Sequence, residues 1–404
     1  MRELNTPSGY NRSLYPLQEI ALYWATIATA TVNDMTTTVT RTAIVAPARF
    51  AHVPPNWFAA VMGTGIISVA AHALVDRAAV FGAVSIVFWL LACVIFTSVV
   101  AATAVHWLAH PAAARGHHTH PVIVHFYGAV PMATLTVGTS TLVAGTSLIG
   151  HDAALAVDLV CFTVGTVGGV VTAIVIPLRH LRRDGRGDAF GGWLMSVVPP
   201  MVSASAAAVL AGAVTGTRAR ETLLVVGVAA FTLSLALSAP IIAAIGRRLF
   251  TNGVGPAALV PTWWIVLGPL GQSVTAACLL SHNSAGVLDA PTARVVHDLA
   301  LGYAIPVWIL AVVWIVLSAA ITAHTARRGL PFALTWWSFI FPVGTFVTGS
   351  AALALVDGWV GFTVAALISF GALVVAWLVV AARTVAGVVD GSLLAAPARG
   401  TLER

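Results

Sequence analysis

Nine stretches of this 404-residue chain run for 25 residues or more without a single Asp, Glu, Lys or Arg, and the longest covers residues 249–288. An apolar run of about 18 residues marks a transmembrane helix, because roughly 20 helical residues cross the hydrocarbon of a bilayer. Only 8% of the residues are charged and 59% are hydrophobic, against about 25% charged in soluble domains. The composition excludes a soluble domain and predicts an all-α polytopic membrane protein. Ten spans fit, near 56–75, 79–105, 122–146, 154–178, 191–213, 221–245, 258–280, 297–322, 332–355 and 359–382.

A repeat orders these spans. Five times an aromatic residue precedes a proline or glycine by five or six positions: Phe58 to Gly63, Phe126 to Pro131, Trp193 to Pro199, Trp264 to Pro269 and Trp337 to Pro342. The breaks lie 68, 68, 70 and 73 residues apart, the length of two spans with their connections. This predicts five helical hairpins, each with its first helix broken near mid-membrane and its second smoother, in a ring around an axial pore. Proline removes a helical hydrogen bond, and in lipid the freed groups need partners from protein or a water-filled cavity. A hydroxyl follows each break by one to four residues: Thr64, Thr134, Ser203, Ser273 and Thr345. These hydroxyls either satisfy the loosened carbonyls or face a lumen and meet a solute, and a hydroxyl has capacity for both. The candidate pore lining is therefore Phe58, Gly63, Thr64, His125, Phe126, Pro131, Thr134, Pro199, Ser203, Trp264, Pro269, Ser273, Trp337, Pro342 and Thr345.

All twenty basic residues are arginine, and they segregate. On alternate sides of the ten spans lie sixteen and four of them, the four being Arg77, Arg218, Arg220 and Arg294. The positive-inside rule makes the sixteen-Arg side cytoplasmic, with both termini inside. The sequence pI of about 9.9 is thus a topology signal, and no nucleic-acid partner is implied. Residues 1–53 are expected to be a cytoplasmic tail, 54–386 the transport domain and 387–404 a second cytoplasmic tail. Met35 is an alternative start, because everything the fold needs follows it. Cys93, Cys161 and Cys278 all fall inside spans, so neither a disulfide framework nor a metal motif is expected. No cofactor and no catalytic cluster is implied. No charge lies at mid-span, Asp158 and Asp298 falling near span ends, which favours passive conduction over strong ion coupling.

Histidines cluster: six of thirteen lie between His106 and His125. His110, His117, His118 and His120 belong to the connection between spans two and three. They fit a metal site, a pH sensor or a solvated loop at the cytoplasmic mouth, and the last is the simplest. His125 lies just inside the third span, placed either to contact an anionic substrate or to cap local backbone.

Three segments carry a resemblance: Pro54 to Ile66, His125 to Met132 and Trp336 to Pro342. Together they resemble the tellurite-resistance/dicarboxylate transporter family, which includes malate permeases, sulfite pumps and plant slow anion channels, over roughly residues 50–390. The resemblance implies quasi-five-fold symmetry, a homotrimer with one pore per protomer, and a small inorganic or organic anion such as malate or succinate as substrate. It also implies that a phenylalanine directly before the ninth-helix proline plugs the pore; here that is Phe341. Gly63 in place of proline departs from the repeat, as does the doubled Pro199-Pro200.

Overall fold

The computed structural model of the chain describes residues 50–182 and 189–394, and among them every regular element is helical. Most of the expected amino-terminal tail with Met35, Arg183, Arg186 and the carboxyl-terminal residues from 395 lie outside the described residues. Ten principal helices follow one another: α1 (Phe58–His72), α2 (Val80–Ala109), α3 (Ala129–Ser140), α4 (His151–Arg182), α5 (Pro199–Ala213), α6 (Thr217–Asn252), α7 (Leu267–Ser284), α8 (Ala290–Ala326), α9 (Ile340–Asp357) and α10 (Val360–Val389). Among the described residues eight helical stretches are long and apolar enough to cross a membrane, or nine when the bent pair Gly191–Val197 and Pro199–Ala213 counts as one. α1, at 15 residues, is shorter than that.

Burial alternates along the chain. In α2, α4, α6, α8 and α10 only 22–28% of the most apolar window is buried, against 67–83% in the stretches containing α3, α7 and α9. Thirteen of the fifteen residues of α1 are buried, and twelve of the fifteen of α5. The five buried helices touch in a closed ring, α1 to α3, α3 to α5, α5 to α7, α7 to α9 and α9 back to α1. Each of the other five lies across two of them: α2 on α1 and α3, α4 on α3 and α5, α6 on α5 and α7, α8 on α7 and α9, α10 on α9 and α1. A helix apolar all round can sit in such a double layer because its outer face meets lipid. The outer helices reach 37 residues, about 55 Å at 1.5 Å per residue, so they project beyond a hydrocarbon layer of about 30 Å. The sequence placed α8 over 297–322 and ended α10 at 382, because polar flanks end an apolar run without ending a helix.

The prolines act differently from the expectation. Pro131, Pro199, Pro269 and Pro342 all fall within the first three residues of α3, α5, α7 and α9. Each of these helices is preceded by a tighter 3-10 segment, or by 3-10 and a short α turn in the case of α5: Ile123–Gly128, Gly191–Trp193, Ala257–Val266 and Leu334–Phe339. Proline is tolerated in a first turn, where no intrahelical N–H partner is lost. The aromatic-to-proline interval is thus a 3-10 lead-in rather than a mid-helix break. Only the lead-in before α5 bends sharply, by 49°. Gly63 breaks nothing, since α1 runs through it; a Cβ there would lie 2.9 Å from Trp337 Cε3, so the glycine lets α1 approach α9. The outer helices, expected to be smooth, contain Pro177, Pro240 and Pro306 and continue through them.

Candidate functional site

The ring encloses a cavity of about 410 Å³. Four helices contribute to it with one spacing: Ile66, Val69 and Ala73 from α1 and its end, Thr136, Thr139 and Val143 from α3 and its continuation, Val202, Ser205 and Val209 from α5, and Gln272, Thr275 and Leu279 from α7. Steps of three and then four residues keep side chains on one face of a helix. α9 adds Phe341, Thr348 and Leu355, again three or four residues, or multiples of that, apart. The polar members form a band that is largely self-bonded. The Ser205 hydroxyl donates to the Val202 carbonyl at 3.0 Å and accepts from Gln272 Nε2. Thr275 and Thr348 share a hydrogen bond of 2.9 Å across α7 and α9. Gln272 Oε1 is left buried without a partner. At the mouth stand His72, Asp76 and Arg77, the cavity's only ionisable lining.

Phe341 closes the other end. It is 2% exposed, and it also lines a second, narrow cavity of about 10 Å³ with Met62, Phe126, Met132, Met195, Val198, Ile265 and Trp337. One phenyl ring therefore separates a wide, hydroxyl-bearing chamber from an apolar slot. The slot's walls come from the 3-10 lead-ins and first turns, so the repeat seen in the sequence marks this constriction.

Of the residues singled out in the sequence, Phe126, Trp337, Phe341 and Pro342 line the slot. The five hydroxyls line neither cavity. Thr64 donates to the Ala60 carbonyl at 2.8 Å, Thr134 to Val130 at 3.0 Å, Ser203 to Pro199 at 3.3 Å, Ser273 to Leu270 at 3.0 Å and Thr345 to Pro342 at 2.7 Å. Ser203 and Ser273 precede Ser205 and Thr275 by two residues, about 200° around a helix, so the hydroxyls that line the chamber lie further along. Phe58 packs edge-on against Phe96 of α2, and the Trp264 indole donates to Thr322 of α8 at 2.9 Å. Pro131 and Pro199 face α4, at Gly168 and Gly169. The sequence reasoning missed Thr136, Thr139, Ser205, Gln272, Thr275 and Thr348; the three-then-four spacing they share was the available signal.

Two titratable groups are more buried than the sequence suggests. Asp158 lies two turns inside α4, with no exposure and neither carboxyl oxygen hydrogen-bonded. Gly138 of α3 makes its niche, because a Cβ there would come 2.5 Å from Asp158 Oδ1. The histidine connection is not a solvated loop throughout. His106 and His117 are buried and stack at 5.2 Å, His52 meets His117 edge-on, and His106 Nδ1 pairs with the Phe50 carbonyl at 2.9 Å. Burial, then the neighbouring His106, His52, His120 and His118, push the His117 imidazole down to about 4. Among the described residues no three His, Cys, Asp or Glu side chains are grouped to hold a metal.

A double layer of membrane-length helices around a cavity closed by one aromatic ring defines a multi-pass membrane transport protein. The family model described as the voltage-dependent anion channel matches residues 52–385. The chain belongs to that family of anion transport proteins. It is 25% identical to an uncharacterized transporter of Methanocaldococcus jannaschii over 84% of this chain and 95% of the relative. A second transporter of that organism is 26% identical over 73% of this chain and 82% of its own length. A sulfite efflux pump of Arthroderma otae is 26% identical over 82% of this chain and 89% of its own.

Proposed function

We propose that this protein is a gated channel or facilitative carrier for small anions, with the path running along the axis of the helix ring and Phe341 as its gate. The observation that carries the reading is the position of Phe341, shared by the chamber and the slot. Support for an anion comes from a chamber whose polar band is neutral hydroxyl and amide, with Arg77 at its mouth. Such groups replace part of an ion's hydration without holding it tightly, which conduction requires. All ten principal helices would cross the membrane as five hairpins, α1–α2 through α9–α10, in a quasi-five-fold arrangement. α1 with its lead-in from Pro55 is the shortest, and the outer helices shield it. Sixteen arginines against four support both termini on the cytoplasmic side of the cell (inner) membrane, with the Arg77 mouth facing out. Three protomers, each with its own path, would form the assembly.

Chloride, nitrate, sulfite and C4-dicarboxylates such as malate and succinate are the candidate substrates, and the resemblance to a sulfite efflux pump puts sulfite first. Asp158 favours one variant of this reading, in which flux is coupled to protons: an intramembrane carboxyl without a partner is costly unless it has a task. The test is flux of these five anions into proteoliposomes, with and without a pH gradient. Transport of at least one supports the reading, and acceleration by an inward proton gradient supports coupling. Movement of none would overturn it.

A further inference from the structure

Beyond the slot, on the side away from the chamber, two histidines meet. His125 belongs to the 3-10 lead-in of α3 and is 4% exposed. His180 closes the last turns of α4. Their ring centroids are 6.0 Å apart at 61°. His125 Nδ1 and His180 Nε2 are both buried, and neither has a hydrogen-bond partner. A buried polar atom left unpaired is destabilising, so two such atoms in adjacent rings are an unfavourable arrangement to keep for packing alone. Packing alone would be served by phenylalanine at either position.

The surroundings narrow what the pair can take. Trp193 lies 4.3 Å from the His180 ring and stacks at 28° to His125, while Phe190 meets His125 edge-on at 5.9 Å. These walls are aromatic and offer no competing acceptor. Among the described residues no third His, Cys or carboxylate joins the pair to make a metal site. A neutral imidazole carries one N–H, and its tautomer follows the partner offered. One tautomer of each ring presents Nδ1–H from His125 and Nε2–H from His180 at once, so two donors are available without either ring gaining charge. Arg179, whose charge adds to burial in depressing the His118 imidazole, adds positive potential at this end. The pair also adjoins the path: Phe126, next to His125, and Met195, two residues after Trp193, both line the slot.

We propose that His125 and His180 form a second anion site, a two-imidazole station for a small oxyanion on the far side of the Phe341 plug. It rests on the anion path proposed above and adds to it a binding step that precedes or follows the constriction. Hydrogen bonds to a charged group in a water-poor niche are the strong kind, and aromatic walls disfavour the large hydration shell of a small hard ion.

His125→Phe and His180→Phe keep an aromatic ring against Trp193 and remove the donors. In oriented proteoliposomes, each raises the half-saturating concentration of sulfite or nitrate about tenfold when the anion is supplied from the His180 side. Half-saturation from the Arg77 side and flux at saturation stay near wild type, and His125→Asn, which restores an N–H, recovers part of the loss. A merely structural role would move both sides together. Binding is read separately by histidine-selective nitrogen-15 NMR in nanodiscs, where the resonances lost in the two Phe variants shift on adding sulfite or nitrate. Unmoved resonances, or an equal rise in half-saturation from both sides, overturn the site. Shifted resonances in a protein that transports none of the anions would instead sink the channel reading and leave the site standing.

Discussion

Replacing Phe341 with alanine tests the gate most directly. The ring is packed between the chamber and the slot and is 2% exposed. An anion passes only when the phenyl leaves its seat, which forfeits roughly 2 kcal/mol of burial. At about 1.4 kcal/mol per factor of ten, the path is then open about one part in thirty. Phe341→Ala removes that term, so flux rises by up to about thirtyfold, and Phe341→Leu falls between alanine and wild type. Core Phe→Ala changes cost about 3–5 kcal/mol; the cavities on both sides leave this ring with fewer neighbours, so the cost falls at the low end of that range. The assay is initial anion flux into proteoliposomes, normalised to protein that elutes as a single species in detergent. Unchanged or lower flux in well-folded Phe341→Ala protein would refute the gate.

Three further outcomes are expected. Gln272→Leu removes the one amide of the polar band and one donor to the passing anion, so flux falls roughly tenfold while the unfolding midpoint holds; unaltered flux would remove Gln272 from the path. Gly271→Ala sets a Cβ 2.6 Å from the Thr345 carbonyl carbon, which is backbone and does not yield; the α7–α9 contact parts at a cost of about 1–3 kcal/mol, read as a lower melting temperature by scanning fluorimetry. For His117 the folded imidazole lies at about 4 against an ordinary 6.5. As pH falls below 6.5 the unfolded chain takes the proton and the folded one does not, so stability is lost progressively down to about pH 4 and is level above 6.5. His117→Gln should flatten the melting temperature across that window, and a slope equal to wild type would count against the assignment.

The membrane class, the alternation of helices and the importance of the aromatic-to-proline intervals were legible because each leaves a periodic mark. Phe126, Trp337 and Pro342 reach the constriction because bulky residues in a tight 3-10 turn point where five chains converge. The hydroxyls left two readings open, because Thr64 or Ser273 has the same composition signal whether it bonds its own helix or a solute; both bond their own helix. Which face looks inward is a matter of helical phase, and phase was fixed by where each α-helix begins. That depends on the 3-10 lead-ins, which proline content alone does not distinguish from kinks. Asp158 lies near the start of its apolar run, and its burial depends on how closely α4 packs on Gly138 of α3, which the sequence does not show.

The ring closes by joining its first helix to its ninth. Gly63 admits Trp337, and the Trp377 indole of α10 donates to Thr64 of α1 at 3.0 Å across 313 residues of sequence. Helices enter a membrane in the order they are synthesised, so in the five-hairpin arrangement proposed above four hairpins would wait in the bilayer as an open arc. Until α9 arrives, the buried faces of α1 and α7 would have no neighbour on that side, and the chamber would be a groove open to lipid. In that arrangement the final hairpin would be a keystone for biogenesis as well as the carrier of Phe341: a chain released before it would be an insertion intermediate with its polar band turned toward the acyl chains.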